Sequence, residues 1–295
     1  MELETVVRGR RGAWESSPQQ LVSLLQNVRY EVVPVGDVEE QVERWLGSEV
    51  TLTITASPTW GLDATLDLAG RLAPLGFHVV PHLPARLVVD SAHLGEIVAR
   101  LVEAGVQDVF VVAGDRSEPV GQFADSLSLL TAMATLPHAF REIGVSGYPE
   151  SHPFIEDDVT IQAMWDKRRF ATYIVSNLCF DPRVITAWVG RVRRRGVELP
   201  IFVGVPGIAD PTRLVRIAVR IGVGDSVRFL RRQKGGLLRL VLPGRHSLDR
   251  VLAGLVPDLA NPARRVAGLH VFTFNEIAAT ERWRRRKLEE LRDGG

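Results

Sequence analysis

The chain has 295 residues, of which 45% are hydrophobic and 24% are charged, the ordinary composition of a globular protein. Its formal net charge of +1 gives no strong field that would attract nucleic acid or an anionic membrane. The single cysteine, Cys179, excludes an internal disulfide and indicates a reducing compartment. No apolar run is long enough to span a bilayer and no signal peptide is apparent, so we expect a cytoplasmic protein. Whether the chain forms a homo-oligomer is left open.

Short β-branched runs alternate along the chain with segments of helical spacing. Eight runs predict strands, at 28–35, 50–57, 77–84, 108–114, 142–149, 171–180, 199–207 and 266–274. Between them, segments such as 91–104 and 182–195 carry apolar residues at helical intervals, with Asp90 before the first and Gly196 after the second. Strict alternation of strand and helix predicts a parallel sheet, because parallel neighbours need helical crossovers.

Eight such units in this length favour an α/β fold, the (β/α)8 TIM barrel. An open doubly wound sheet is the alternative, but no glycine-rich phosphate loop follows the first strand. We expect a single catalytic barrel domain over residues 1–295. Residues 1–26 would form an N-terminal extension, and 225–265 would insert extra helices before the last strand.

The active site of such a barrel forms where the strands end, in the loops that follow them. Glu31 is the most informative polar residue, because a carboxylate in an apolar strand must face the barrel interior or pair with an outer helix. A position in the barrel interior disfavours the charged form of this carboxylate. A proton donor needs this effect, because it must carry its proton before the reaction. The alternative is an outward residue that is paired with a neighbouring helix.

Other polar residues at strand ends have equally simple structural interpretations. His82 and His270 could be core histidines, and Asp115 could be the N-cap of the next helix. No pair of these residues has the spacing of metal ligands, and none follows the order of a Ser-His-Asp triad. The residues alone therefore predict a barrel enzyme without a metal, whose substrate stays undetermined.

One loop carries a more specific signal. The stretch GYPESHP at 147–153 resembles the loop A/G-Y-P-E-x-H-P of the methylenetetrahydrofolate reductase family. Further segments resemble motifs of that family in the same order and with similar spacing. They are YEVVP at 30–34 (F-E-F-F-P), PHL at 81–83 (P-H-L), AGD at 113–115 (R-G-D), NLCFD at 177–181 (Q-x-F-F-D), and GLHVFTFN at 268–275 (G-x-H-F-Y-T-L-N).

The resemblance implies a reaction and its cofactors. It implies hydride transfer from NAD(P)H, through FAD, to 5,10-methylenetetrahydrofolate, which gives 5-methyltetrahydrofolate for methionine biosynthesis. Two alternatives stay open: a flavin-independent reductase that uses NAD(P)H directly, and a folate-binding homologue without reductase activity.

The resemblance also assigns site residues by position. Glu31 matches the acid that protonates the folate nitrogen, Asp115 matches the carboxylate between flavin and folate, and Asn177 stands where the family has a pterin-binding glutamine. The positions that match FAD-lining residues are Thr55, His82, Gly114, Asp115, Ala124, Tyr148, His152 and Lys167.

The chain departs from the family pattern on the flavin side and at positions near the folate. Ala113 replaces an arginine, Pro211 stands near the place of a substrate-stacking aromatic residue, and Glu276 replaces another arginine. Instead of binding a cofactor, Lys167 could belong to a basic helix face that is exposed to solvent. We also expect solvent-exposed faces for the basic runs at 191–195 and 282–287.

Overall fold

The computed structural model describes residues 18–56, 60–137, 140–150, 156–208, 248–259 and 261–293. All eight predicted strands are present in this part of the chain, and they close into a parallel barrel in sequence order. They are β1 (Val28–Val32), β2 (Thr51–Ile54), β3 (Val79–Pro84), β4 (Asp108–Val112), β5 (Glu142–Gly147), β6 (Tyr173–Ser176), β7 (Ile201–Pro206) and β8 (Val266–Phe272). The TIM-barrel prediction is confirmed, and β8 pairs with β1 to complete the ring.

Helices form the outer layer. The described α-helices are α1 (Pro18–Gln26), α2 (Val38–Trp45), α3 (Asp63–Leu72), α4 (Ser91–Glu103), α5 (Ser126–Met133), α6 (Asp157–Lys167), α7 (Pro182–Arg194), α8 (Leu248–Leu259) and α9 (Ile277–Asp293). None of these helices combines the length and the apolar character that a membrane span needs.

The local signals in the sequence set the helix boundaries. Asp90 caps α4 by accepting a hydrogen bond from the backbone N–H of His93, as its position predicts. Gly105 follows that helix with a φ of 80°, a left-handed conformation that glycine adopts without a Cβ clash. Asp181 caps α7 in the same way, and Pro182 occupies its first turn.

The expected insertion lies only partly within the described residues. Residues 225–247 are outside them, so the insertion stays a prediction. The part that is described, α8, packs against α7 in the outer layer and buries Leu248, Leu252 and Leu255. Of the expected N-terminal extension, α1 also packs against the barrel, in contact with β8 and α9.

The N-terminal half of the barrel interior contains a buried ion pair. The Arg29 guanidinium lies 2.9 Å from the Asp108 carboxylate, and the Tyr173 hydroxyl donates to the same carboxylate at 2.8 Å. The guanidinium also stacks over the rings of Tyr173 and Phe202, at 4.0 and 4.2 Å from their centroids. Burial raises the pKa of Asp108, and the charge of Arg29 opposes that rise. This network fills the floor of the barrel.

A second buried network joins α9 to the first strand. Glu281 is completely buried, accepts a hydrogen bond from the Tyr30 hydroxyl, and pairs with Arg284 at 2.8 Å. Arg284 also donates to the backbone carbonyl of Leu25. The prediction that the run at 282–287 faces solvent is therefore wrong for Arg284, which is buried and forms an ion pair with Glu281.

Arg29→Met should destabilise the barrel strongly, because it leaves the Asp108 carboxylate buried without its counter-charge. We expect a loss of about 3–5 kcal/mol in the free energy of unfolding, measured by urea denaturation. The matched control is Arg71→Met, which removes an exposed ion pair with Glu39 and should cost at most about 1 kcal/mol. Equal losses in the two variants would contradict the structural role given to Arg29.

Candidate active site

Glu31 faces the interior of the barrel near the ends of the strands. Its carboxylate oxygen Oε2 lies 3.1 Å from Nε2 of His270 and 3.9 Å from Nε2 of His82. The side chain keeps 19% of its surface exposed, so a small molecule at the barrel mouth could reach it. The inward orientation predicted for Glu31 is found, and the alternative of an outward pair with a helix is wrong.

The histidines around Glu31 are buried but incompletely hydrogen-bonded. His82 is 6% exposed and His270 1% exposed. Nε2 of His82 and Nδ1 of His270 have no hydrogen-bond partner among the described residues, and neither has the hydroxyl of fully buried Thr53 on the adjoining strand. Unpaired buried polar atoms are costly, and a group of them beside an acid is the arrangement expected where a polar ligand or water binds. His82 is thus not a satisfied core histidine.

The imidazole of His82 is neutral at physiological pH. Burial lowers the pKa of His82 from its usual 6.5 to about 4, while the charge of Glu31 opposes this change. Its ring packs against Phe110, with the ring centroids 4.8 Å apart. A neutral, buried imidazole can donate from one ring nitrogen and accept at the other, which suits recognition of a heteroaromatic ring edge.

Asp115 and Tyr148 lie near each other at the same end of the barrel. Asp115 is exposed in the loop after β4, and Gly114 before it has a φ of 94°. Burial raises the pKa of the Tyr148 phenol and the charge of Asp115 raises it further, so the phenol stays protonated. The helix that follows is capped by Asp125, and the N-cap alternative for Asp115 is therefore wrong.

Lys167 is buried, with 9% of its surface exposed, although Arg168 and Arg169 beside it are exposed. Burial lowers the pKa of the Lys167 ammonium, and the nearby carboxylates of Asp125 and Asp166 oppose this shift. Lys167 makes no ion pair within 4.0 Å with any described residue. The solvated-face alternative is wrong for Lys167 and correct for its two neighbours.

The other predicted site residues take varied environments. The side-chain oxygen of Asn177 accepts from the backbone N–H of Leu178 at 2.8 Å, and its amide NH2 makes no hydrogen bond to any described residue. Thr55 is half-buried, and its backbone N–H donates to the carbonyl of Val32. Ala124 is exposed in the loop after β4. His152 and Pro211 lie outside the described residues, so their roles stay predictions.

The sequence did not single out Arg86, which the structure brings to the loop after β4. Its guanidinium donates from Nε to the carbonyl of Ala124 at 2.8 Å and from Nη1 to that of Arg116 at 2.7 Å. Its backbone N–H donates to the carbonyl of Ala113, the position where the family has an arginine. The signal was a charged residue three positions after the PHL segment, which spacing alone does not connect to residue 113.

Comparisons with known proteins identify one family. The family model for methylenetetrahydrofolate reductase matches residues 40–224, more than half of the chain. Methylenetetrahydrofolate reductase 1 of Schizosaccharomyces pombe is 26% identical over 196 residues, which cover 58% of this chain and 32% of that protein. Methylenetetrahydrofolate reductase 2 of Saccharomyces cerevisiae is 24% identical over 178 residues, 57% of this chain and 27% of that protein.

The chain thus spans about a third of the length of these curated relatives, over the aligned residues. Among solved structures, tryptophan synthase subunit alpha from Legionella pneumophila str. Paris is 11% identical with a TM-score of 0.43, and covers 79% of this chain and 92% of that chain. Glu31 and His270 lie outside residues 40–224, the segment that the family model matches.

The lowered pKa of His82 predicts a specific loss of stability in acid. Between pH 6.5 and 4 the unfolded chain binds a proton at His82 that the folded chain does not, so stability falls as the pH drops through this window. The full contribution is on the order of 3 kcal/mol. In His82→Gln, urea unfolding at pH 7.5 and 4.5 should show a smaller difference than in the parent protein. An unchanged difference would mean that His82 does not titrate as described.

Proposed function

Because this chain belongs to the methylenetetrahydrofolate reductase family, we propose that it reduces 5,10-methylenetetrahydrofolate to 5-methyltetrahydrofolate with NAD(P)H as the hydride source. The observation that carries the proposal is the carboxyl group of Glu31, held at the barrel mouth against His270 at 3.1 Å. The reaction adds one proton and one hydride to the substrate, and Glu31 is the group placed to supply the proton.

Glu31 acts as the general acid in this proposal. Its carboxyl group protonates the folate nitrogen as the C–N bond of the five-membered ring breaks, which leaves an iminium ion on the other nitrogen. Hydride addition to the iminium carbon then forms the methyl group. His270 holds the carboxyl group in place, and neutral His82 adds no positive charge that would repel the iminium.

Asp115 and Asn177 serve the same reaction at the edge of the site. A carboxylate at Asp115 stabilises the positive iminium by charge attraction. Tyr148 stays protonated beside it and can donate a hydrogen bond to a ligand. The NH2 group of Asn177, which has no hydrogen-bond partner in the described part of the chain, can donate to a pterin edge, while its side-chain oxygen accepts from the backbone of Leu178.

We propose FAD as the cofactor, and the described residues fit it in part. Bound FAD would accept hydride from NAD(P)H and deliver it to the folate. The unpaired Nε2 of His82 could contact the flavin ring, and buried Lys167, which lacks an ion pair with any described residue, is suited to a diphosphate. Thr55, Gly114, Ala124 and Tyr148 would line the same cofactor, together with His152.

Direct hydride transfer from NAD(P)H is the second candidate, and one observation favours it. Ala113 provides no guanidinium where the family has one, and the backbone carbonyl at this position already accepts from Arg86. A chain that had lost flavin would no longer need that contact. The colour of the purified protein distinguishes the two candidates, because bound flavin absorbs visible light.

Glu31→Gln should lower turnover of methylenetetrahydrofolate by about 10²–10⁴-fold, the usual contribution of a positioned general acid. The substitution keeps the shape of the side chain, so substrate binding and folding should change little. The measurement is formation of 5-methyltetrahydrofolate with NADH or NADPH, with and without added FAD. Near-parental turnover would exclude Glu31 as the proton donor.

Lys167→Met should reduce bound flavin without lowering stability, since methionine keeps the volume and removes a charge that burial disfavours. Flavin per chain is measured by absorbance after gel filtration, and the thermal midpoint of the apoprotein is measured in parallel. Arg169→Met, an exposed neighbour, is the matched control and should retain flavin. Equal flavin in both variants would place the diphosphate elsewhere, and a colourless parent would support direct transfer from NAD(P)H.

A further inference from the structure

A turn directly after β8 holds the backbone of Glu31 and Val33 by hydrogen bonds, on the C-terminal side of the Glu31 Cα. The hydroxyl of fully buried Thr273 donates to the carbonyl of Glu31 at 2.6 Å, and the Thr273 N–H donates to the same oxygen at 3.3 Å. The Asn275 side chain accepts from the N–H of Val33 at 2.8 Å and donates to the carbonyl of Val33 at 2.9 Å. The backbone of residues 31–33 is therefore held at three groups by two side chains.

The same turn has an unfavourable backbone conformation. Phe274 and Asn275 have φ angles of 52° and 59°, in the left-handed region that residues other than glycine rarely adopt. Asparagine tolerates this region, but a bulky phenylalanine does so only when its surroundings enforce it. The backbone N–H of Asn275 donates to the Thr273 hydroxyl at 3.2 Å, which ties the Thr273 side chain to the backbone of Asn275. Strain of this kind concentrates at functional sites.

We propose that Thr273 and Asn275 are positioning residues for Glu31, an inference that depends on the proposed role of Glu31 as proton donor. Fixing the carbonyl of Glu31 and both backbone groups of Val33 fixes the direction of the Cα–Cβ bond of Glu31. The carboxyl group then stays 3.1 Å from His270 and faces the barrel mouth. Neither Thr273 nor Asn275 needs to touch the substrate.

A purely structural role is the competing explanation, since these bonds also join β8 to the loop after β1. It predicts a loss of stability without a specific loss of turnover. The positioning role predicts that turnover falls while the Michaelis constant barely changes, because the acid is displaced and the binding surface is kept. A displacement of about 1 Å at a reacting group costs about a hundredfold in rate.

The test uses paired substitutions at both positions. Thr273→Val removes the hydroxyl at constant volume, and Thr273→Ser restores it. Asn275→Gly removes both side-chain bonds to Val33 but relieves the left-handed strain, which favours folding. The matched control is Thr172→Val, whose hydroxyl joins β5 to β6 by accepting from the Ile143 N–H and donating to Glu142, with no contact to Glu31.

We expect Thr273→Val and Asn275→Gly to lower kcat by about tenfold to a hundredfold with KM within about twofold, while Thr273→Ser and Thr172→Val stay near the parent. Because the effect acts through Glu31, adding Thr273→Val to Glu31→Gln should lower kcat no further. Multiplicative losses in that double variant would overturn the proposal.

The outcomes separate this inference from the proposed function. If Glu31→Gln keeps near-parental turnover, the role of Glu31 fails and the positioning role fails with it. If Glu31→Gln loses turnover while Thr273→Val and Asn275→Gly stay within twofold of the parent, the positioning role alone is wrong. Should one variant fail to fold, the serine and valine pair at Thr273 still decides between the two explanations.

Discussion

The interior of the barrel sets the central constraint, because every polar group placed there must find a partner without help from bulk water. Arg29 and Glu31, the two inward polar residues of β1, differ in how far their surroundings satisfy this constraint. Arg29 is fully engaged by Asp108 and by two aromatic faces, so the floor of the barrel is closed. Glu31 lies beside two histidines, each with one ring nitrogen that finds no hydrogen-bond partner among the residues that the structure describes. The contrast separates the end of the barrel that stabilises the fold from the end that can accept a ligand.

Sequence patterns were sufficient for the order of strands and helices, since each signal is local. The inward orientation of Glu31 could also be predicted, because a single acid in an apolar strand either faces the barrel interior or pairs with an outer helix. Its contact with His270 could not, as 239 residues separate the two and only closure of the ring brings them together. The resemblance marked both positions but said nothing of the distance between them.

Predictions made from charged residues in the sequence were wrong where the fold buries a charged side chain or begins a helix later than expected. Lys167 belongs to a basic run whose neighbours are solvated, yet helical geometry turns that one side chain inward. Arg284 behaves likewise in α9, where Glu281 neutralises it. Asp115 looked like a cap because aspartate often precedes a helix, but the chain continues to Asp125 before α5 begins. For Lys167 and Arg284 the deciding information was which side of the helix faces its neighbours, and for Asp115 it was the residue at which α5 begins.

The pairing of β1 with β8 has a consequence for biosynthesis. On the ribosome, β1 can pair with β2 as soon as that strand emerges, but its other edge stays open until β8 has been made. During that time the inward face of β1, with Arg29 and Glu31, lacks the wall that β8 supplies, and an unpaired strand edge favours association with other chains. Slow translation before β8 would prolong this exposure, because the open edge of β1 closes only when β8 pairs with it.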